Sequence, residues 1–210
     1  MLIIHFVKAG LKGFSMGRSQ LEKQKTHERI VELAAKRLRE EGLDGIGVAD
    51  LMKEAGLTVG GFYKHFASRD ELVAEAVQSA VESWRRQQGE KGIDPESIPL
   101  DVFVDSYLSE RHRDHRGEGC AYAALTADIA RSGDAVRTIA TEGLRKNFDA
   151  MRARMPEPET DEARQKAIIA SCLMTGALGL ARMTNDEALS SEILETVKQF
   201  VKDLPSGGSK

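Results

Sequence analysis

Two cysteines in 210 residues, Cys120 and Cys172, are too few for a disulfide framework. Long apolar runs are missing as well. The longest uncharged stretch, residues 167–181, covers 15 positions, short of the ~20 that a membrane span needs. Residues 1–15 have too short an apolar core for a secretory signal and no leading basic region. An excess of positive charge is also absent. The chain carries 30 Lys and Arg against 33 Asp and Glu, a net charge of −3, which excludes a globally basic coat for nucleic acid. No β-strand pair and no internal repeat can be read, and no Glu-x-x-His pair supports a di-metal helical oxidase. These absences leave a cytoplasmic, all-helical protein with no membrane partner and no cofactor as the expectation.

What is present is helical periodicity. Ile30, Leu33, Ala34 and Leu38 repeat on one face of a helix expected over 20–41, and Gly42 stands where a C-terminal cap belongs. A short helix follows over 48–55, with Leu51, Met52 and Ala55 inward and Gly47 at its N-cap. Gly56 suits the sharp turn that ends it, and Thr58 is the expected N-cap of a helix over 59–66. That helix carries Gly60 and Gly61, each costing about 1 kcal/mol against alanine. Ser68-Arg69-Asp70-Glu71 is a capping box opening a helix over 69–88. Beyond the breaker-rich 89–99, helices are expected over 100–110, 120–131, 134–155, 161–184 and 186–203, with a polar loop at 111–119.

Residues 48–66 have the lengths of a helix-turn-helix, whose second helix enters the major groove of DNA. Phe62 and Phe66, spaced i, i+4, should face inward. Thr58, Tyr63, Lys64, His65 and Arg69 could reach phosphates, and Val59 a thymine methyl. From spacing alone, an ordinary three-helix bundle with a glycine-rich surface helix fits equally.

A resemblance decides between them. The run 28–77, with Ala55-Gly56-Leu57-Thr58, Gly60, Phe62-Tyr63-Lys64-His65-Phe66, Ser68-Arg69 and Glu71-Leu72, resembles the N-terminal domain of the TetR/AcrR family of bacterial transcriptional regulators. It implies an all-α fold of about nine helices. A three-helix helix-turn-helix domain over 19–67 would precede a helical ligand-binding and dimerisation domain over 68–204, with disordered tails at 1–18 and 205–210. It implies double-stranded operator DNA, a small-molecule effector and a second copy of the chain as partners. Thr58, Val59, Gly60, Gly61, Tyr63, Lys64 and His65 would face DNA, with Gly47, Val48 and Arg69 on the flanking backbone. Gly47 stands where the family usually has Ser or Thr, and Gly61 where it usually has a side chain, so few groups would read bases.

Effector-pocket candidates are the large or soft residues Trp84, Phe103, Tyr107, Tyr122, Phe148, Met151 and Met174, with Cys120 and Cys172. Cys120 sits at a helix start, where a thiol pKa can fall. A redox or electrophile sensor through Cys120 is thus one alternative, beside a small buried residue lining a pocket. Cys172 is expected in the core. His112, Asp114, His115 and Cys120 could in principle hold zinc, but a solvated loop is the simpler reading, and no metal is expected. Gly13-x-Ser15-x-Gly17 matches a hydrolase elbow without the sheet it needs. Apolar residues Ile169, Leu173, Gly176, Leu180, Leu194, Val197 and Phe200 stripe the last two helices, the expected dimer interface. A helical binding protein or enzyme without DNA binding is the remaining alternative.

Overall fold

A computed structural model describes the backbone of residues 7–204 and the side chains from residue 20 on. The expected tail at 205–210 and residues 1–6 lie outside this range. The first helix, α1, spans Val7–Glu41, beginning well before the expected start at residue 20. A helix already nucleated gains one hydrogen bond per residue fixed, so Gly10, Gly13 and Gly17 do not end it. Ile30, Ala34 and Leu38 are fully buried along its inner face.

Gly42 ends α1 with a positive φ of 81°, its N–H donating to the Leu38 carbonyl at 2.9 Å. A 3-10 turn over Leu43–Gly45 leads to α2, Val48–Glu54. The exit from α2 is a Schellman motif. The Gly56 N–H donates to Lys53 at 3.0 Å, the Leu57 N–H to Met52 at 2.8 Å, and Gly56 adopts φ 69°. The next element, Val59–Lys64, is a 3-10 helix rather than the α-helix expected over 59–66. Two adjacent glycines lower α-helical propensity, and the Gly61 N–H closes a tighter bond to the Thr58 carbonyl at 2.9 Å.

Helix α3, Arg69–Glu90, opens on the expected cap: the Ser68 hydroxyl accepts from the Glu71 N–H at 3.1 Å. The Glu71 carboxylate reaches back to the Ala67 N–H. Further along are α4 (Leu100–Tyr107), α5 (Glu110–Asp114) and α6 (Ala121–Arg131). Helices α7 (Asp134–Arg152), α8 (Asp161–Met183) and α9 (Glu187–Asp203) complete the order. The single helix expected over 100–110 is therefore two. Ser109 stops the first and caps the second, its hydroxyl accepting from the His112 N–H at 3.2 Å.

Residues 111–119 are only in part a solvated loop: Arg111, Asp114, His115, Arg116 and Glu118 are exposed, while Arg113, Gly117 and Gly119 are buried. Arg113 is 9% exposed and pairs with Asp114 at 2.7 Å and Glu187 at 2.9 Å. Arg182 of α8 donates to the His112 and Arg113 carbonyls. Arg113 and the carbonyls of His112 and Arg113 tie α5 to α8 and α9.

Two apolar cores result. One joins α1, α2 and the 3-10 helix to α3, α6 and the start of α7, so the helix-turn-helix unit shares its core with part of the body. The other fills the space among α4, the end of α7, α8 and α9. By length and composition α8 could cross a membrane, which the uncharged-run criterion misses because it tolerates no charge. It is built into the bundle against α6, α7 and α9.

Gly56 has open space around it, so only its backbone conformation resists a side chain. Gly56→Ala should therefore destabilise the fold by about 1 kcal/mol, read as a lower urea midpoint at unchanged slope.

Candidate functional site

Phe62 and Phe66 are each 2% exposed, with ring centroids 5.3 Å apart. Their burial against the α1–α3 core turns the opposite face outward. There Val59 is 51% and Tyr63 75% exposed. Thr58, Gly60, Lys64, Arg69 and Gly47 are exposed, while Val48, Gly61 and His65 are half-buried. All ten sequence candidates thus lie at or near one surface.

Several differ from expectation in detail. Thr58 makes no side-chain cap bond, because the backbone closes the turn; its hydroxyl is left for an outside partner. Arg69 is partly committed inward. Its guanidinium donates to the Leu43 carbonyl at 2.7 Å and the Ile46 carbonyl at 3.3 Å, so it positions the chain entering α2. Nothing lies within 4 Å of a Cβ at Gly60, and at Gly61 the nearest atoms are at ordinary contact distance. No internal crowding requires either glycine. The His65 Nδ1 is buried without a partner, and burial, then His27, Lys23 and Lys64, hold its pKa below the ordinary range. Lys23 on α1 therefore belongs to the electrostatics of this face. Sequence reasoning passed over it because Lys23 lies 42 positions from His65 along the chain.

A cavity of about 750 Å³ lies in the helical body, walled by α3, α4, α5, α6, α7 and α8. Trp84, Phe103, Phe148, Met151 and Met174 form its apolar lining. Trp84 meets Phe103 edge-on at 5.2 Å, and the Arg154 guanidinium lies over the Phe103 ring at 4.6 Å. Tyr107, Tyr122, Cys120 and Cys172 line it too. The Tyr122 hydroxyl donates to the Ala140 carbonyl at 2.9 Å, and that of Tyr107 lies 3.4 Å from Thr175. Burial pushes both phenols above their ordinary pKa. Cys172 is exposed on α8 rather than in the core, since its helix turns that face out of the bundle.

His112 fixes the α6 entrance. Its Nε2 accepts from the Cys120 N–H at 2.9 Å, so Nδ1 carries the proton and donates to the Tyr107 carbonyl at 2.7 Å. Burial holds its pKa below the usual value. Both ring nitrogens are thus engaged with backbone. Among the described residues no group of three His, Cys, Asp or Glu is placed to hold a metal ion.

On α8 and α9, Ile169, Leu173, Leu180 and Phe200 are 46%, 36%, 51% and 54% exposed, and Gly176 is exposed. Val197 is half-buried. Leu194, expected on the same face, is 3% exposed within the chain's own core, because it faces α8. Met183, at 76% exposure, and Leu189, at 44%, extend the apolar surface. The helical period places Met183 in register with Leu180 and Gly176.

A short helix, a Schellman turn and an outward-facing second helix over a buried aromatic pair define a helix-turn-helix DNA-binding protein with a cavity-bearing helical body. Residues 30–76 match the family model described as bacterial regulatory proteins, tetR family. The N-terminal domain is therefore of the tetR family of bacterial regulatory proteins. It is similar to the uncharacterised HTH-type transcriptional regulator MT0206 of Mycobacterium tuberculosis, 27% identical over 78% of this chain and 87% of that protein. It is also similar to the HTH-type transcriptional repressor KstR2 of the same species, 31% identical over 40% of this chain and 43% of that protein. The fold is that of a TetR transcriptional regulator from Chloroflexus aurantiacus. The TM-score is 0.69 at 21% identity, covering 86% of this chain and 96% of that one. The proteins it matches are regulators of transcription, not enzymes.

Proposed function

We propose that this DNA-binding regulator is a homodimeric, cytoplasmic repressor that a small molecule releases from a palindromic operator. The observation that carries the reading is the outward row Thr58, Val59, Tyr63 and Lys64, set over the buried Phe62 and Phe66. Two such rows would enter successive major grooves ~34–36 Å apart. Thr58, Tyr63, Lys64 and Arg69 supply phosphate donors, Val59 an apolar contact, and Gly60 and Gly61 let the backbone approach closely. Gly47, Val48 and His65 flank this row.

The exposed apolar stripe of α8 and α9 is assigned to the second subunit. An effector in the 750 Å³ cavity would act through its walls. Helix α3 begins at the reading unit. Asp128 of α6 accepts from the Leu43 N–H at 3.4 Å, in the segment preceding α2. Arg39 of α1 donates to the Gly117 carbonyl at 2.7 Å, three residues before Cys120. A shift of α3 or α6 would change the separation of the two reading heads, coupling the two sites.

Cys120 is assigned a packing role in the cavity wall. The competing sensor role has one observation in its favour, the neighbouring charges of Arg39 and Arg182.

Tyr63→Ala and Lys64→Ala should each weaken binding to DNA selected from a random pool by about tenfold, with unchanged circular dichroism. Unchanged affinity in both would remove the assigned face. Leu180→Glu with Phe200→Glu should give monomers in analytical ultracentrifugation and lower operator affinity. A stable dimer would place the interface elsewhere. Cys120→Ser should leave effector release intact; loss of a response to oxidants or electrophiles alone would restore the sensor reading.

A further inference from the structure

The charge of the cavity lining is unlike that of the chain. Overall the protein has slightly more acids than bases, 33 against 30. Lining the cavity are five permanent cations, Arg85, Lys91, Arg111, Arg137 and Arg154, and one carboxylate, Glu118. Two of the five form ion pairs, Arg85 3.3 Å from Glu96 and Arg137 3.5 Å from Asp134, and Arg154 has Glu96 and Asp94 as more distant acidic neighbours. Arg154 gives its guanidinium to the carbonyls of Pro95, Ile98 and Ala150, which carry no net charge. Lys91 and Arg111 have no carboxylate within ion-pair distance among the described residues. Glu118 already has Arg39 as a charged neighbour.

The positive excess continues behind the wall. Arg39 is 8% exposed and its Nη1 has no partner; the Nη1 of Arg182 is also buried and unpartnered. Both guanidinium groups interact electrostatically with Cys120, at the α6 end of the cavity. Burial and the like charge of Arg85 hold Arg154 below its ordinary pKa against the opposing pull of Glu96 and Asp94, and burial and Arg86 do the same to Arg39 against that of Glu40 and Glu118. A cleft of one sign with low-dielectric walls raises the local concentration of the opposite ion. The rest of the lining is apolar, with Trp84, Phe103, Phe148, Met151 and Met174. A cationic ligand would add to the repulsion, and a neutral one would leave it unrelieved.

We infer that the effector is an amphipathic organic anion, a hydrocarbon body carrying a carboxylate, with Lys91 and Arg111 drawing its head. This inference rests on the cavity being the effector site. The test compares three probes of equal chain length and different charge: decanoate, decanol and decylamine. Each is titrated calorimetrically into the full-length protein and, in parallel, into its complex with selected DNA. Decanoate should bind at least about tenfold more tightly than either other probe, its lead should shrink as salt rises, and it alone should release DNA at low concentration. In a Lys91→Gln, Arg111→Gln double variant decanoate should weaken about fivefold, while decanol is unaffected. Decanol or decylamine binding as tightly as decanoate would overturn the anionic class and leave the effector cavity standing; an unchanged lead in the double variant would overturn the assignment of the head to Lys91 and Arg111. Failure of all three to bind, with DNA affinity intact, would overturn the cavity reading together with it.

Discussion

Burial of Phe62 and Phe66 is the interaction on which the reading surface depends. The 3-10 helix from Val59 to Lys64 contains two glycines and has little intrinsic preference for its conformation. What holds it is a pair of rings driven under it, each 2% exposed, against the face of α1 that Ile30, Ala34 and Leu38 supply. Truncating such a ring removes ~3–5 kcal/mol of packing, more than the short helix gains from its own hydrogen bonds. The rings also set orientation. With 62 and 66 inward, 59, 60, 63 and 64 face out.

The same core extends into α3, α6 and the start of α7, which also wall the cavity. The reading unit is therefore continuous in packing with part of the body. Two polar contacts fix its register against that body: the Arg39 guanidinium on the Gly117 carbonyl, and the Leu43 N–H on the Asp128 carboxylate. Gly42 makes the second possible, since a side chain there would meet the Asp128 carboxylate at 2.8 Å. Changes in the cavity wall therefore have a short, densely packed route to the segment that leads into α2.

Much of this was legible in the sequence, for particular physical reasons. The period of Ile30, Ala34 and Leu38, the left-handed glycines at 42 and 56, and the Ser68 cap each report local preferences, and each appears where expected. The nine cavity candidates rest on size and softness alone, yet all nine line one space, beside small neighbours such as Ala80 and Ala140. What was not legible depended on long-range partners. The charged run at 111–119 looks like a solvated loop until Glu187, Ser190 and Arg182, some 70 positions on, take up its arginine and its carbonyls. Arg69 looks free until the Leu43 and Ile46 carbonyls are beside it. Leu194 lies in the chain's own core, and Cys172 lines the cavity but is exposed rather than buried, because an apolar stripe on α8 or α9 serves both the core and an outer surface, and periodicity alone does not divide it. The 3-10 geometry of the reading helix also escaped, although Gly60-Gly61 was its signal.

The account's central claim is that the exposed face of residues 58–64 meets DNA while the buried aromatic pair beneath it stays fixed. Backbone hydrogen exchange with and without DNA selected from a random pool tests this most directly. The account predicts added protection confined to residues 47–48, 58–61 and 63–65, with no change at the buried residues Phe62 and Ile30. Protection centred on another surface, with 58–65 exchanging as in the free protein, would contradict it.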